Sequence, residues 1–257
     1  MSGAQTIEIY SFLLIYILLL IVLFIMKRAK IEKTKLLLWA SLKMTIQLII
    51  AGFLLTYIFE NPRPIWTMAF ITSMLVFSIH RVLGGEKALN LKFKVGVAFS
   101  LSLSGLFVLA YFVVVVVNEN LLNPQYTIPL AGMIIGNAMT GVSLGIKTFM
   151  SAISTQRNKI QALQNLGVTP KAILKPFVNE SLSTALLPTI NSMLGMGIIF
   201  LPGMMTGQIL AGTLPTTAIL YQICIMIAIC TSVCLSVFFS LTIGYKTLYN
   251  NRNQIKI

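Results

Sequence analysis

The chain contains no aspartate, one histidine and only six glutamates among its 257 residues. That scarcity closes off several kinds of chemistry. A zinc hydrolase of the HExxH type needs two histidines on one helix face. An ion-coupled carrier usually keeps an acid inside the membrane, whereas Glu8, Glu60 and Glu119 sit at the ends of apolar runs and the other three lie in polar connections. Iron(II) sites recruit histidine and carboxylate, so no tight intramembrane iron cage is visible and the metal ligands stay unknown. Charged residues make up only 10% of the chain, against about a quarter in a soluble domain, which excludes a soluble fold. The three cysteines, Cys224, Cys230 and Cys234, form no CxxC pair and read as small buried hydrophobes.

Other absences concern energy and targeting. "GVSLGIKT" (141–148) lacks the adjacent Gly-Lys-Ser/Thr of a phosphate loop and lies in an apolar run, so ATP hydrolysis is not expected on this chain. It is read as no enzyme, with no cofactor of its own. No Lys or Arg precedes residue 27, and "MKRAK" follows the first apolar run. A secretion signal carries its positive charge before that run, so the segment reads as a retained anchor.

What is present is apolar length. Hydrophobic residues reach 57%, and the mean hydropathy is +0.89. About 20 helical residues cover the ~30 Å hydrocarbon core. Runs at 7–26, 37–59, 65–80, 95–117, 128–148, 184–210 and 218–241 predict about seven transmembrane helices. The class is therefore all-α, a polytopic membrane protein with one permease-sized domain over 1–257, embedded in a lipid bilayer. The third run is short and its ends are open.

Lys and Arg sort the connections. Seventeen of the nineteen lie in 27–35, 81–94, 147–183 or the C-terminal tail; Lys43 and Arg63 are the others. This places the N-terminus outside and the C-terminus in the cytoplasm. Because the +13 net charge is spread between apolar runs, it reads as a topology signal, not a nucleic-acid surface.

The longest polar connection, 150–183, is built as structure. Ile160, Leu163 and Leu166 recur at helical spacing, and Gly167 is placed to terminate that helix. Thr169 suits an N-cap and Pro170 the first helical position of a second helix, which Pro176 bends or ends. The loop could rest on lipid headgroups or dock on a partner protein; the spacing alone leaves both open.

The stretch "LPGMMTGQILAG" (201–212) is odd for a membrane span. Pro202 removes a donor, and Gly203, Gly207 and Gly212 remove bulk; Pro188, Gly195 and Gly197 do the same upstream. Non-helical backbone at membrane depth survives only where protein or water covers it, so a broken or kinked sixth span is expected. Carriers place substrate sites at such breaks. Asn137, Asn191, Met204, Met205, Thr206 and Gln208 are therefore candidates for a translocation path. The competing reading makes Gly203-xxx-Gly207 and "GMIIG" (132–136) simple helix-packing motifs.

"QALQNLG" (161–167) resembles the Glu-Ala-Ala–x3–Gly coupling loop of ABC transporter permeases: Ala162 and Gly167 match, while Gln161 stands for the glutamate and Leu163 for the second alanine. "IPLAGMIIGNAMTGVSL" (128–144), "LGVTPKAILKP" (166–176) and "LLPTINSMLGMGIIFLPGMMTGQILAG" (186–212) are together similar to the FetB-type permeases, bacterial iron exporters related to plant aluminium-tolerance permeases. The resemblance implies an ABC permease of the bacterial inner membrane that exports iron or another metal or metal complex. It also implies a homodimer in a 2+2 complex with a separate cytoplasmic ATPase of the FetA type, which would carry the ATP and Mg and grip Gln161, Ala162, Leu163, Leu166, Gly167, Thr169 and Pro170. An ion-driven secondary transporter and a non-transporting scaffold remain the alternatives on residues alone.

Overall fold

The computed structural model describes residues 8–86 and 89–250; Lys87, Arg252 and Lys256 of the charge pattern lie outside them. The described chain is helical throughout: α1 (Ile9–Arg28), α2 (Thr34–Glu60), α3 (Pro64–Gly84), α4 (Leu91–Tyr111), α5 (Pro124–Thr155), α6 (Arg157–Asn165), α7 (Pro170–Gly195), α8 (Gly203–Leu210) and α9 (Pro215–Tyr245). Among the described residues six helices are long and apolar enough to cross a bilayer: α1, α2, α3, α4 with the turn after it, α5 and α9. The sixth run, 184–210, is divided. Its first part is the end of α7, its last eight residues are α8, and 196–202 between them is not helical. The short third run is a complete helix of 21 residues, about 31 Å at 1.5 Å per residue.

Helix ends follow local chemistry. Asn90 caps α4, its Oδ1 accepting the Phe93 N–H at 2.7 Å. Asn123 accepts the Gln125 N–H at 3.2 Å while Pro124 takes the first position of α5, where its missing N–H is harmless. The valine run after α4 widens into a π turn over Phe112–Val116, with the Val117 N–H reaching the Phe112 carbonyl at 2.9 Å. Consecutive β-branched side chains crowd the tighter α-helical turn, and a π turn relieves that crowding.

The core is α4, α5 and α9, joined where side chains vanish. A Cβ on Gly141 would stand 2.6 Å from Val233, one on Gly145 2.9 Å from Val237, and one on Gly96 2.7 Å from Ile243. Ser232, Ser236 and Ser240 of α9 and Ser104 of α4 are buried in the same layers. Lipid tails are as apolar as leucine, so helices associate through such close approach. This differs from the packing motifs expected at 132–136 and 203–207. Open space surrounds Gly136, Gly203 and Gly207, and Gly132 meets only Met74 at an ordinary 3.5 Å. The close-packing glycines sit on the α5–α9 and α4–α9 seams.

Loops at the two ends are tied separately. At one end Asn90 Nδ2 donates to the Thr247 carbonyl at 2.9 Å, joining the α3–α4 connection to the segment after α9. At the other, Thr67 Oγ1 donates to the Leu122 carbonyl at 3.0 Å. α1 and α2 stand at the periphery and bury almost nothing beyond Ile58. They meet through the Tyr16 hydroxyl and Thr45 Oγ1. A helix apolar all round and unburied by protein is lipid-facing.

Candidate functional site

The interruption between α7 and α8 has a definite form. α7 runs through Pro176 and Pro188 and stops at Gly195, so Pro176 does not end the second loop helix, which continues unbroken toward the membrane. Gly197 then takes a φ of +81° and donates its N–H to the Phe200 carbonyl at 3.1 Å. Pro202, in an extended conformation, opens α8; the Thr206 N–H and hydroxyl both reach its carbonyl at 3.0 Å. At the far end Gly212 has a φ of +98°. There the Thr213 N–H donates to the Gln208 carbonyl at 2.9 Å and the Gly212 N–H to the Ile209 carbonyl at 3.0 Å. That is a Schellman closure, which needs the left-handed conformation glycine supplies. The far end of α8 thus satisfies its backbone locally, as hydrocarbon surroundings require.

Two cavities flank the break. One, about 260 Å³, lies between Asn137 and Thr140 of α5, Thr189 and Ser192 of α7, Met196, and Gln222 of α9. The other, about 450 Å³, is lined by Met193, Met196, Met205, Gln222 and Met226 with apolar neighbours. Three of the polar donors around the first are spent on their own helices. Asn137 Nδ2 donates to the Met133 carbonyl at 2.7 Å, Thr140 to Gly136 at 3.1 Å, and Ser192 to Pro188 at 2.9 Å. Oxygen acceptors therefore remain for whatever enters. Pro188 also denies the Thr184 carbonyl its helical donor.

The sequence candidates divide on this geometry. Asn137, Pro188 and Pro202 line the smaller cavity and Met205 the larger. Asn191 is exposed on α7 and lines neither; nor do Met204, Thr206 or Gln208, although Gln208 Oε1 is buried without a partner. Gly203 is the first residue of α8 and Gly207 lies inside it. Among the described residues no three His, Cys, Asp or Glu side chains come together.

Sequence reasoning missed Gln222, Met226, Met196, Met193 and Thr189. Gln222 was readable: a lone amide in "YQICIMIAIC" must find a partner in hydrocarbon. Met226 follows it one turn on, at i+4. Met193 of α7 and Met196 of the break carried no such signal.

The second feature is the elbow between α5 and α7. α5 is 32 residues long, about 48 Å, so it outruns the hydrocarbon core and carries α6 beyond it. Ile160 anchors α6, fully buried, with Leu163 half-buried. Gly167 has a φ of +80°; its N–H donates to Gln164 at 2.9 Å and the Val168 N–H to Leu163 at 3.1 Å, the same Schellman closure. Pro170 is the buried first residue of α7. Thr169 occupies the N-cap position, but its side chain makes no capping bond. Gln161 and Ala162 are exposed, and Leu166 is 78% exposed at the tip.

Comparison with known sequences places these features in a family. Residues 9–249 match the model of the Uncharacterised protein family (UPF0014), and the chain belongs to that family. It is 29% identical over 247 residues to the Probable iron export permease protein FetB of Escherichia coli (strain K12), covering 96% of this chain and 94% of that one. It is 28% identical to the UPF0014 membrane protein YjkA of Bacillus subtilis (strain 168), over 96% and 97% of the two chains. The Protein ALUMINUM SENSITIVE 3 of Arabidopsis thaliana is 32% identical over 70% of this chain and 65% of its own. No solved structure matches the chain.

Proposed function

We propose that the chain is the permease subunit of an ABC transporter that exports a metal or metal complex from a bacterial cell, driven by a separate cytoplasmic ATPase seated on the 157–170 elbow. The observation that carries this reading is the elbow itself: a short helix held rigidly beyond a membrane-length helix, with a large apolar side chain, Leu166, displayed to solvent. A coupling element must transmit force, so it must be stiff where it is gripped. The glycine closure stiffens the α6–α7 turn, and the unbroken α7 connects it to the interruption beside the cavities. Movement of the elbow would therefore reach the 196–202 segment through one helix.

Charge supports the orientation. Connections holding most Lys and Arg are gathered at the end where Asn90 meets Thr247, while the opposite loop at 61–63 holds Arg63 alone. The positive-inside rule makes the first end cytoplasmic, with the N-terminus outside. The working assembly in this reading holds two permeases and two ATPases. The Escherichia coli relative is named a probable iron export permease, which supports a metal as cargo. Reconstitution tests the reading: the purified chain should hydrolyse no ATP until its ATPase is added, and flux should then require both. Gradient-driven flux without any ATPase would replace it with a secondary carrier.

A further inference from the structure

We infer that the paired cavities at the 196–202 break form a site for a soft monovalent cation, Cu(I) or Ag(I), held by methionine thioethers with the amide oxygen of Gln222. The inference rests on the permease reading and names a cargo class for its site. Four methionines line the larger cavity from separate places in the chain: Met193 at the end of α7, Met196 in the break, Met205 on α8 and Met226 on α9. Met196, Met226 and Gln222 also line the smaller cavity, so these three stand at the junction of the two.

Gln222 supplies an independent sign of a ligand. It is only 3% exposed, its Nε2 lies 3.7 Å from Met196 Sδ, and its Oε1 is buried with no donor. A buried acceptor without a partner is unfavourable in any interior, and more so at membrane depth. A cation beside it would supply the missing partner while the amide holds the Met196 thioether in place.

The chemistry selects the ion. Thioethers are soft and neutral and select Cu(I), whereas harder divalent ions draw on carboxylate, carbonyl and imidazole. Among the described residues no three His, Cys, Asp or Glu side chains come together, and the larger cavity offers one amide, Gln222, beside its four methionines. An uncharged wall in low dielectric also tolerates a single positive charge better than two or three, because desolvation opposes each added charge.

The test is Ag(I) titration of the full chain in lipid nanodiscs, with Cys224, Cys230 and Cys234 replaced by alanine to remove thiols. Leucine replacements keep methionine's volume, and monodispersity checks each fold. One bound Ag(I) per chain is expected, weakened at least tenfold by Met196→Leu and by Met226→Leu but not by Met68→Leu on α3. Binding that is absent, or insensitive to Met196→Leu and Met226→Leu together, would show the methionines to be apolar filling and overturn the site. So would Mn(II) or Fe(II) displacing Ag(I) at equal concentration. The titration involves neither ATPase nor flux, so its failure leaves the permease reading intact. Failed flux beside intact Ag(I) binding removes the permease reading alone.

Discussion

The backbone N–H of Val168 donates to the carbonyl of Leu163 at 3.1 Å, across a glycine held at a φ of +80°. This bond turns α6 back onto α7 and sets the angle at which the elbow meets any partner. An L-residue at Gly167 must adopt the left-handed conformation at about 1–2 kcal/mol. Space is not the obstacle, since nothing lies within 4 Å of a Cβ there. Gly167→Ala should therefore leave the bundle folded while loosening the elbow. In reconstituted complex, ATP hydrolysed per ion exported should rise, read by paired hydrolysis and flux assays.

Leu166 contributes little to this chain's own core at 78% exposure. Surface changes away from structural features usually shift stability within about ±0.5 kcal/mol. Leu166→Asp should leave thermal unfolding unchanged and weaken ATPase binding by tenfold or more, measured by surface binding to nanodisc-embedded chain.

The α4–α9 seam makes an opposite prediction. A Cβ on Gly244 would come within 2.3 Å of the Phe93 ring, itself fully buried. Overpacking of this kind costs about 1–3 kcal/mol, so Gly244→Ala should lower the unfolding temperature. Adding Phe93→Leu should recover part of the loss, because contacting residues couple. Strictly additive losses would show that the ring already has room.

Within the cavity, Asn137 and Thr140 bond only to their own helix. Asn137→Leu with Thr140→Val should spare folding yet reduce export several-fold. Asn191→Leu, on a residue that lines neither cavity, should leave export unchanged. Metal efflux from loaded vesicles separates the two.

How far these features could be read in advance depended on whether the signal was local. Gly167 and Pro170 were legible because a positive φ and a first-position proline are demanded by backbone chemistry within a few residues. The break was legible from Gly195, Gly197 and Pro202, but the Met-Met segment beyond it is helical in α8. Pro188 weakens a helix locally, yet α7 passes through it because neighbouring hydroxyls and helices can re-satisfy freed groups in a membrane. The close-packing glycines were misplaced for a different reason. Spacing shows that two glycines share a face, and only the arrangement of helices shows whether another helix meets it. Gly96 and Gly244 share no motif in sequence; Ile243 and Phe93 make them necessary.

The most direct test follows the chemical accessibility of residue 166. In a chain carrying Leu166→Cys with Cys224, Cys230 and Cys234 replaced by alanine, a membrane-impermeant maleimide should fail to label intact cells. It should label inverted vesicles, and added ATPase should protect the thiol. Labelling of intact cells, or full reactivity with the ATPase bound, would contradict the account.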